Sequence, residues 1–471
     1  MNKYLAAILA LFVTFEANAQ SPFSFFGDLF PGFGQDGQKG SGVPGQGDRG
    51  GQDGQMGSGV PDRGDRYGQD GQMGSAPRRQ DAPDNPVKFD YNVDFEYLFN
   101  NYEFGDGDSQ GPYDESRTIN AARLTPTVGL AIRQKPNVVH RVSAGIDLLR
   151  EMGSGLPAGD VFRELTLNYS AAVELEKGRF DAVAGIFPRR FSEFDWTGPF
   201  YDDANLFYDN NLEGVYFKWR SRKFHAELGL DWNGQHGDDA NPDRREQFKV
   251  LSAGQWNFAG GFSLAWNAQF HHFACSQVDY NLVDDHMVNP RLEWCTDKAW
   301  FDRLKVTAGV VVAFQNDRKA EGDPQTPWGL TSTQEISKFG IRIHNYLFWG
   351  EDLMPYYQKY GSSLYSGEEC FHTQFDGKSV VDILRISWEP RITDWLAVTV
   401  ACHFHLGTSD ADNGIKTLRG SQQILGLRLN LDRFRTQPVR LMQDGPADGN
   451  RKHQRHNKKH HPKFSVDTYE F

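Results

Sequence analysis

The chain has 471 residues, a formal net charge of −12 and 13% aromatic residues. So acidic a balance argues against a nucleic-acid partner, because phosphate contacts need concentrated Lys and Arg. The mean hydropathy of −0.61 excludes a bundle of apolar helices but not a barrel, whose strands turn half their residues away from lipid.

Residues 1–19 read as a signal peptide: Lys3 in a basic start, an apolar run from Leu5 to Phe15, and Ala17 and Ala19 as a small-x-small cleavage site. The run is too short for an anchor, and an exported protein is expected. Residues 20–86 are rich in Gly, Gln, Asp and Pro, and the block beginning at Gly34 returns at Gly51 and Gly68. With so little apolar matter this segment is expected to be a disordered linker. Its front end, Ser21 to Phe33, carries Phe23, Phe25, Phe26, Phe30 and Phe33, a candidate docking motif for a periplasmic partner or for the barrel's own mouth.

From Val87 to Phe99 the odd positions are all apolar, and the even ones, Leu98 apart, are charged or amide. Successive strand residues point to opposite faces, so the segment has one greasy wall and one wet wall. At roughly 3.3 Å per residue it spans about 43 Å, enough to cross a bilayer at the tilt of barrel strands. The device then recurs. Arg123 to Ile132 and Val138 to Leu148 form a hairpin in which Ile132 falls beside His140 and Leu130 beside Val142. Leu165 to Leu175 and Phe180 to Ile186 follow, with Leu175 expected opposite Phe180. Val215 to Trp219 and Phe224 to Trp232 come next, with Trp219 expected opposite Phe224. Further candidates are 248–258, 262–272, 286–294, 304–314, 339–349, 380–388, 396–406 and 423–431.

The predicted fold is therefore all-β, a transmembrane antiparallel β-barrel over residues 87–432 with about 14–18 strands and 16 as the best value. Fifteen segments are legible, and bacterial single-chain barrels use even numbers, so one is missed, with Trp349 to Asp376 the expected place. Longer polar loops near 188–211, 233–246, 315–333, 350–376 and 407–420 alternate with short turns. Long loops outside the cell and both mature termini in the periplasm follow from that asymmetry. Residues 433–471 hold a basic, His-dense run from Arg451 to His461, read as a solvated tail. Cys275, Cys295, Cys370 and Cys402 leave a disulfide open in an oxidising compartment; if Cys275 tops one strand and Cys295 lies well down the next, those two are too far apart to bridge, and Cys402 falls on the lipid side.

The wet wall is the candidate functional surface. Its expected lumen-lining residues are Arg123, Arg133, Arg141, Glu164, Glu174, Asp181, Glu227, Asp231, Arg342, Arg385, His403, His405 and Arg428. Glu174 is expected opposite Asp181, and like charges facing each other favour a hydrated lumen. His403 and His405 share a face at a spacing used by some strand-borne metal sites, but no third ligand accompanies them, and no metal or cofactor is expected. An outer-membrane hydrolase needs a Ser/His or Asp/His arrangement at the barrel rim. His271 and His272 lie near such a rim without a nucleophile signature, so no catalytic residue is assigned and the protein is read as not an enzyme.

Several blocks resemble the porin-like outer-membrane barrels of Bacteroidetes-type bacteria. They begin at Gly185 (Gly-Ile-Phe-Pro-Arg-Arg-Phe), Asn211 (Asn-Leu-Glu-Gly-Val), Leu230 (Leu-Asp-Trp-Asn-Gly) and Arg245 (Arg-Glu-Gln-Phe), and include the loop from Trp349 to Gly361. The resemblance spans about residues 87 to 432 and implies a barrel in the bacterial outer membrane; it supplies no catalytic residues. The function expected is a channel for passive diffusion of small hydrophilic solutes through a mixed-charge lumen, with outer-membrane lipid around it. The alternatives are a binding or scaffold barrel and, third, an outer-membrane hydrolase.

Overall fold

The computed structural model describes residues 86–104, 116–153, 161–297, 300–319, 323–372, 378–390, 392–408 and 415–432. The segments read as signal peptide, repeat linker and basic tail lie outside these residues. Sixteen strands follow one another: β1 (Val87–Phe104), β2 (Arg117–Lys135), β3 (Val138–Glu151), β4 (Phe162–Leu175), β5 (Gly178–Pro188), β6 (Asn211–Ser221), β7 (Phe224–Gly234) and β8 (Gln247–Asn257) make one half. The other half is β9 (Phe262–Phe273), β10 (Val283–Thr296), β11 (Arg303–Asp317), β12 (Trp328–Lys338), β13 (Ile341–Gly350), β14 (Ser379–Trp388), β15 (Leu396–Thr408) and β16 (Ile415–Asp432). Each pairs antiparallel with the next, and β16 closes on β1. Closure leaves no open edge, as a sheet in lipid requires.

The alternation decides which side faces out. On β4, Leu165 and Leu167 are 62% and 61% exposed whereas Thr166 between them is 3% exposed. The same phase runs round the wall, so the outer surface is apolar and the polar residues turn inward.

The strand absent from the sequence reading is β12, which lies in the expected 315–333 loop and the residues after it, not between Trp349 and Asp376. Its outward positions include Ser332 and Gln334, so it lacks the greasy alternation that marks the others. Register also corrects two hairpins. Leu175 pairs with Gly178 and Val173 with Phe180, so Glu174 faces Arg179 and Asp181 faces Ala172. Trp219 pairs with Ala226. In both, the two-residue turn sits one position from where it was expected, at Glu176-Lys177 and at Arg222-Lys223, so the pairing moves by two residues and every side chain keeps its expected face. The first hairpin holds as read, Ile132 with His140 and Leu130 with Val142, with a bulge between Arg133 and Lys135.

Two connections on the rim opposite the chain ends fold into the lumen. The first, 189–210, carries the short helix α1 (Asp203–Tyr208); the second, described over 351–372, carries α2 (Tyr357–Tyr360). Phe194, Trp196, Phe200 and Tyr201 of the first and Leu353, Met354, Leu364, Tyr365 and Phe371 of the second share one buried cluster with inward residues from β5 through β14, among them Tyr216, Leu251, Met287, Val311 and Ile383. Phe207 and Tyr208 of α1 pack against Tyr102, Ile119, Ala121 and Leu149 on the other side. The loops bond directly to each other: Asp202 N donates to Ser366 O at 2.8 Å and Glu368 N to Gly198 O at 2.9 Å.

Packing at this plug is tight enough to test. A Cβ on Gly229 would sit 2.2 Å from the Tyr216 ring, and that ring is held edge-on by Phe187 and Phe191. Overpacking of this kind costs about 1–3 kcal/mol. Gly229→Ala should therefore lower the temperature at which the barrel loses its heat-modifiable gel mobility, whereas Leu228→Ala on the lipid side of the same strand should move it much less.

Candidate functional site

The inward charges form a matched set with the plug. Strand parity puts all thirteen of the proposed lumen residues on the inner face. Arg123 lies 3.3 Å from Asp147 and donates to Tyr208 O at 2.9 Å; Arg141 meets Asp90 at 2.5 Å. Arg428 bonds Asp94 at 2.8 Å and Glu96 at 3.0 Å, and Arg190 from the plug joins both carboxylates. Asp231 takes Arg189 of the plug at 3.2 Å. Arg385 holds Glu368 at 2.6 Å and reaches Thr197 at 3.3 Å. Glu164 accepts from Asn211 at 2.5 Å. Glu174 lies 3.3 Å from Arg179, and Arg179 and Arg220 both pair with Asp181. The like-charge opposition expected between Glu174 and Asp181 is absent, and with it the argument for a hydrated lumen there. Arg133 and Arg342 face inward at the end nearer the chain termini.

The deepest anchor lies where the first loop reaches β6 and β7. Lys218 and Arg220 meet Glu193 at 2.9 and 2.8 Å, and burial of that carboxyl is outweighed by these cations, which hold it down at about 2. Glu227 accepts from Ser192 Oγ at 2.7 Å and Tyr216 OH at 2.8 Å and lies 3.1 Å from His225 Nε2. Among the described residues Glu193, His225 and Glu227 are the only trio whose ligand atoms gather within 4.8 Å. A metal there would have to displace the lysine and the arginine. Nor is it a hydrolytic relay: hydroxyl and imidazole both sit on the carboxylate, whereas a nucleophile must sit on the imidazole. His403 Nδ1 bonds Gln422 at 3.0 Å and lies 3.9 Å from Asp203 Oδ2, and His405 packs edge-on against Phe104 at 5.1 Å; among the described residues this pair does not gather into a metal-binding trio.

A different arrangement faces outward at the loop rim. His272, Asp284 and Asn316 occupy one cross-strand row at the tops of β9, β10 and β11. His272 Nδ1 is 3.7 Å from Asp284 Oδ1, an ion-pair separation that hydrogen bonds in unliganded sites often show. Arg318, just past β11, grips Asp284 with Nε at 2.8 Å and Nη2 at 2.9 Å. The His272 side chain is 28% exposed and that of Arg318 51%, so both present a face to what surrounds the barrel. Beside them Trp232 stacks on Phe248 at 5.5 Å, and Phe248 lies 5.1 Å from the His272 ring. One row lower, Phe270, His286 and Phe314 form an aromatic band. Aromatic rows of this kind sit at the level where acyl chains give way to headgroups.

His271, one residue away, points inward and lies 3.6 Å from Asp285. Gln315 bonds Asp285, and Tyr365 of the plug donates to Gln315 at 2.9 Å, so this second His–Asp pair belongs to the plug's anchorage. The sequence singled out both histidines; it missed Asp284 and Arg318, which reach His272 only through strand pairing. The legible signal was the run of outward positions that turn polar at the tops of three consecutive strands.

The fold defines a closed transmembrane β-barrel of the outer-membrane kind, with two connections folded into its lumen. Residues 82–431 match the model of the lipid A 3'-O-deacylase-type family, and the chain belongs to that family. A deacylase family is an enzyme family, which overturns the reading of the barrel as not an enzyme; that reading rested on a missing local nucleophile motif, and a site assembled across strands leaves none. No curated protein matches the chain. Among solved structures, the loop-L8 deletion mutant of OmpT, an outer membrane protein of Vibrio cholerae, is 10% identical over 74% of this chain and 100% of that one, with a TM-score of 0.45. OprD of Pseudomonas aeruginosa is 10% identical over 74% and 96%, at 0.42, and OccAB3 of Acinetobacter baumannii 9% over 73% and 99%, at 0.38. Likeness at this level bears on neither activity nor site.

The latch between the two loops has a pH dependence. Burial pushes the Glu368 carboxyl up to about 7, against the pull of Arg385, with Asp203 and Asp202 adding to the rise. A carboxyl whose folded value lies above its unfolded one contributes stability that is complete below the unfolded value, about 4.5, and is lost as pH rises through 7. Hydrogen exchange across 361–372 should therefore quicken between pH 5 and 8 in the native protein. In Glu368→Gln that rise should be blunted.

Proposed function

We propose that this protein is an outer-membrane acyl-ester hydrolase that acts on a lipid A-type glycolipid from the outer wall of its barrel. The observation that carries the reading is the outward row of His272, Asp284 and Arg318 above the aromatic band, in a chain of the lipid A 3'-O-deacylase-type family. The rim bearing the long connections then faces the cell exterior, where such glycolipids reside.

The chemistry follows from the side chains. Asp284 orients His272 through Nδ1, leaving Nε2 to take a proton from water. The activated water attacks the ester carbonyl, the carbonyl oxygen takes up the negative charge, and collapse breaks the bond to the sugar oxygen. His272 returns its proton to that oxygen, so one water and one ester give one fatty acid and one free hydroxyl. Arg318 is placed to receive the anionic phosphate of the headgroup, or the charge building on the carbonyl oxygen. A lipid reaches this row by lateral diffusion and need not enter the lumen.

Two features support this reading over a diffusion channel. A solute path through the barrel would require both loops to leave contacts that involve strands all around the wall. The inward ionic groups, moreover, are engaged largely with one another and with the plug. Purified protein reconstituted with lipid A should release one acyl chain, seen by mass spectrometry as loss of a hydroxyacyl unit. His272→Ala should slow that release by about 10²–10⁴-fold, the share usual for a general base, and Arg318→Ala should weaken it with less effect on barrel stability. Intact lipid A after incubation with folded native protein, or undiminished release by His272→Ala, would contradict the proposal.

A further inference from the structure

The outer wall carries one polar network where hydrocarbon should lie against it. Ser332 and Gln334 on β12, Asn345 on β13 and Asp382 on β14 all point outward by the alternation of their strands. Asn345 Nδ2 donates to Gln334 Oε1 at 3.1 Å, Gln334 Nε2 to Ser332 Oγ at 2.6 Å, and Ser332 Oγ to the Thr307 carbonyl at 3.0 Å. Asp382 lies beside the Asn345 amide, and its Oδ1 is sealed from solvent without a partner. Asn345 pairs with Gln334 on one side and Leu384 on the other. It stands midway along β13 between Trp349 at one rim and Ile341, paired with Trp388, at the other. These groups therefore lie inside the apolar band and not at the headgroups.

Two further features coincide with the patch. Ala308 on β11 is paired with Ser332, so two small side chains stand side by side and let another surface approach closely. β13 and β14, at ten residues each, are the shortest strands of the wall. At about 3.3 Å per residue and a tilt near 45° they span only about 23 Å, barely the apolar band. Short strands and the polar patch thus fall on the same face. Amides and a carboxyl facing lipid are costly, and those that occur are found against protein.

We propose that the β12–β14 face is an interface between two copies of this chain, related by a two-fold axis parallel to the barrel axis. A second copy fits because the patch is complementary to itself. A two-fold sets equal depths together, and the Gln334 amide, partly accessible where Asn345 is covered at 8% exposure, carries donors and an acceptor and can satisfy its own equivalent. Gln334 uses one of its two N–H groups within the network and has the other to give. A different protein would have to present matching polar groups at the same depth.

The experiment is carried out on the full chain in lipid nanodiscs, with copy number read by native mass spectrometry. The native protein should give two copies. Gln334→Leu, Asn345→Leu and Asp382→Leu combined should give one, with heat-modifiable mobility retained, since leucine suits a lipid-facing position. In a Cys402→Ala background, Leu384→Cys should form a disulfide with its own equivalent under mild oxidation, and Leu167→Cys on the opposite wall should not. Single copies of the native protein, three copies, a two-copy state that survives the triple substitution, or equal cross-linking at Leu167 would each overturn the proposal.

Discussion

Sixteen strands enclose more space than their inward side chains can fill, and the rest of this structure answers that constraint. The wall turns Arg, Lys, Asp and Glu inward because the other face belongs to lipid, so the interior must be either water or a partner for those charges. Here it is a partner. The connections 189–210 and 351–372 bring Arg189, Arg190, Glu193 and Glu368 to Asp231, Asp94, Lys218 and Arg385, and they bring an apolar filling with them. Asp231, Asp94 and Lys218 are each almost wholly buried, and for a buried charge losing its partner costs far more than the pair contributes when intact. The interlock of the two loops therefore makes the interior cooperative: loosening one strands the charges that the other had matched.

Much of the barrel was legible in the alternation of single strands. Val87 to Phe99 could hardly be anything but a two-faced strand, and fifteen of the strands carry enough of that pattern to be seen. β12 was not, because Ser332 and Gln334 replace the apolar residues that would have revealed it, and the same two residues then contribute to the outward polar network. Hairpin registers at Leu175 and Trp219 were displaced by two residues because apolar spacing leaves undetermined which two residues make the turn. The plug was invisible for a different reason. Its aromatic residues follow neither a period of two nor one of 3.6, and a loop rich in Phe and Tyr reads as an exposed rim until the facing wall is known.

The candidate site shows the same limit from the other side. His272 was noticeable as part of a pair near a rim, and parity alone separates it from His271: one faces the surrounding lipid, the other the plug. What makes His272 useful is Asp284 twelve positions on and Arg318 in a loop further still, joined only by cross-strand register. Sites that depend on register leave no local motif, and the absence of one was therefore weak ground for reading the chain as non-catalytic. A filled lumen also suits the chemistry proposed for the outer wall, because a barrel acting on lipid from outside needs no opening through it.

The filled lumen is the claim on which this account turns, and conductance measures it most directly. Native protein refolded into a planar bilayer, with folding verified by heat-modifiable mobility, should give no steady open-channel current at neutral pH. A persistent ohmic conductance from that same folded protein would contradict the account, because ions would then be passing where the two loops are placed.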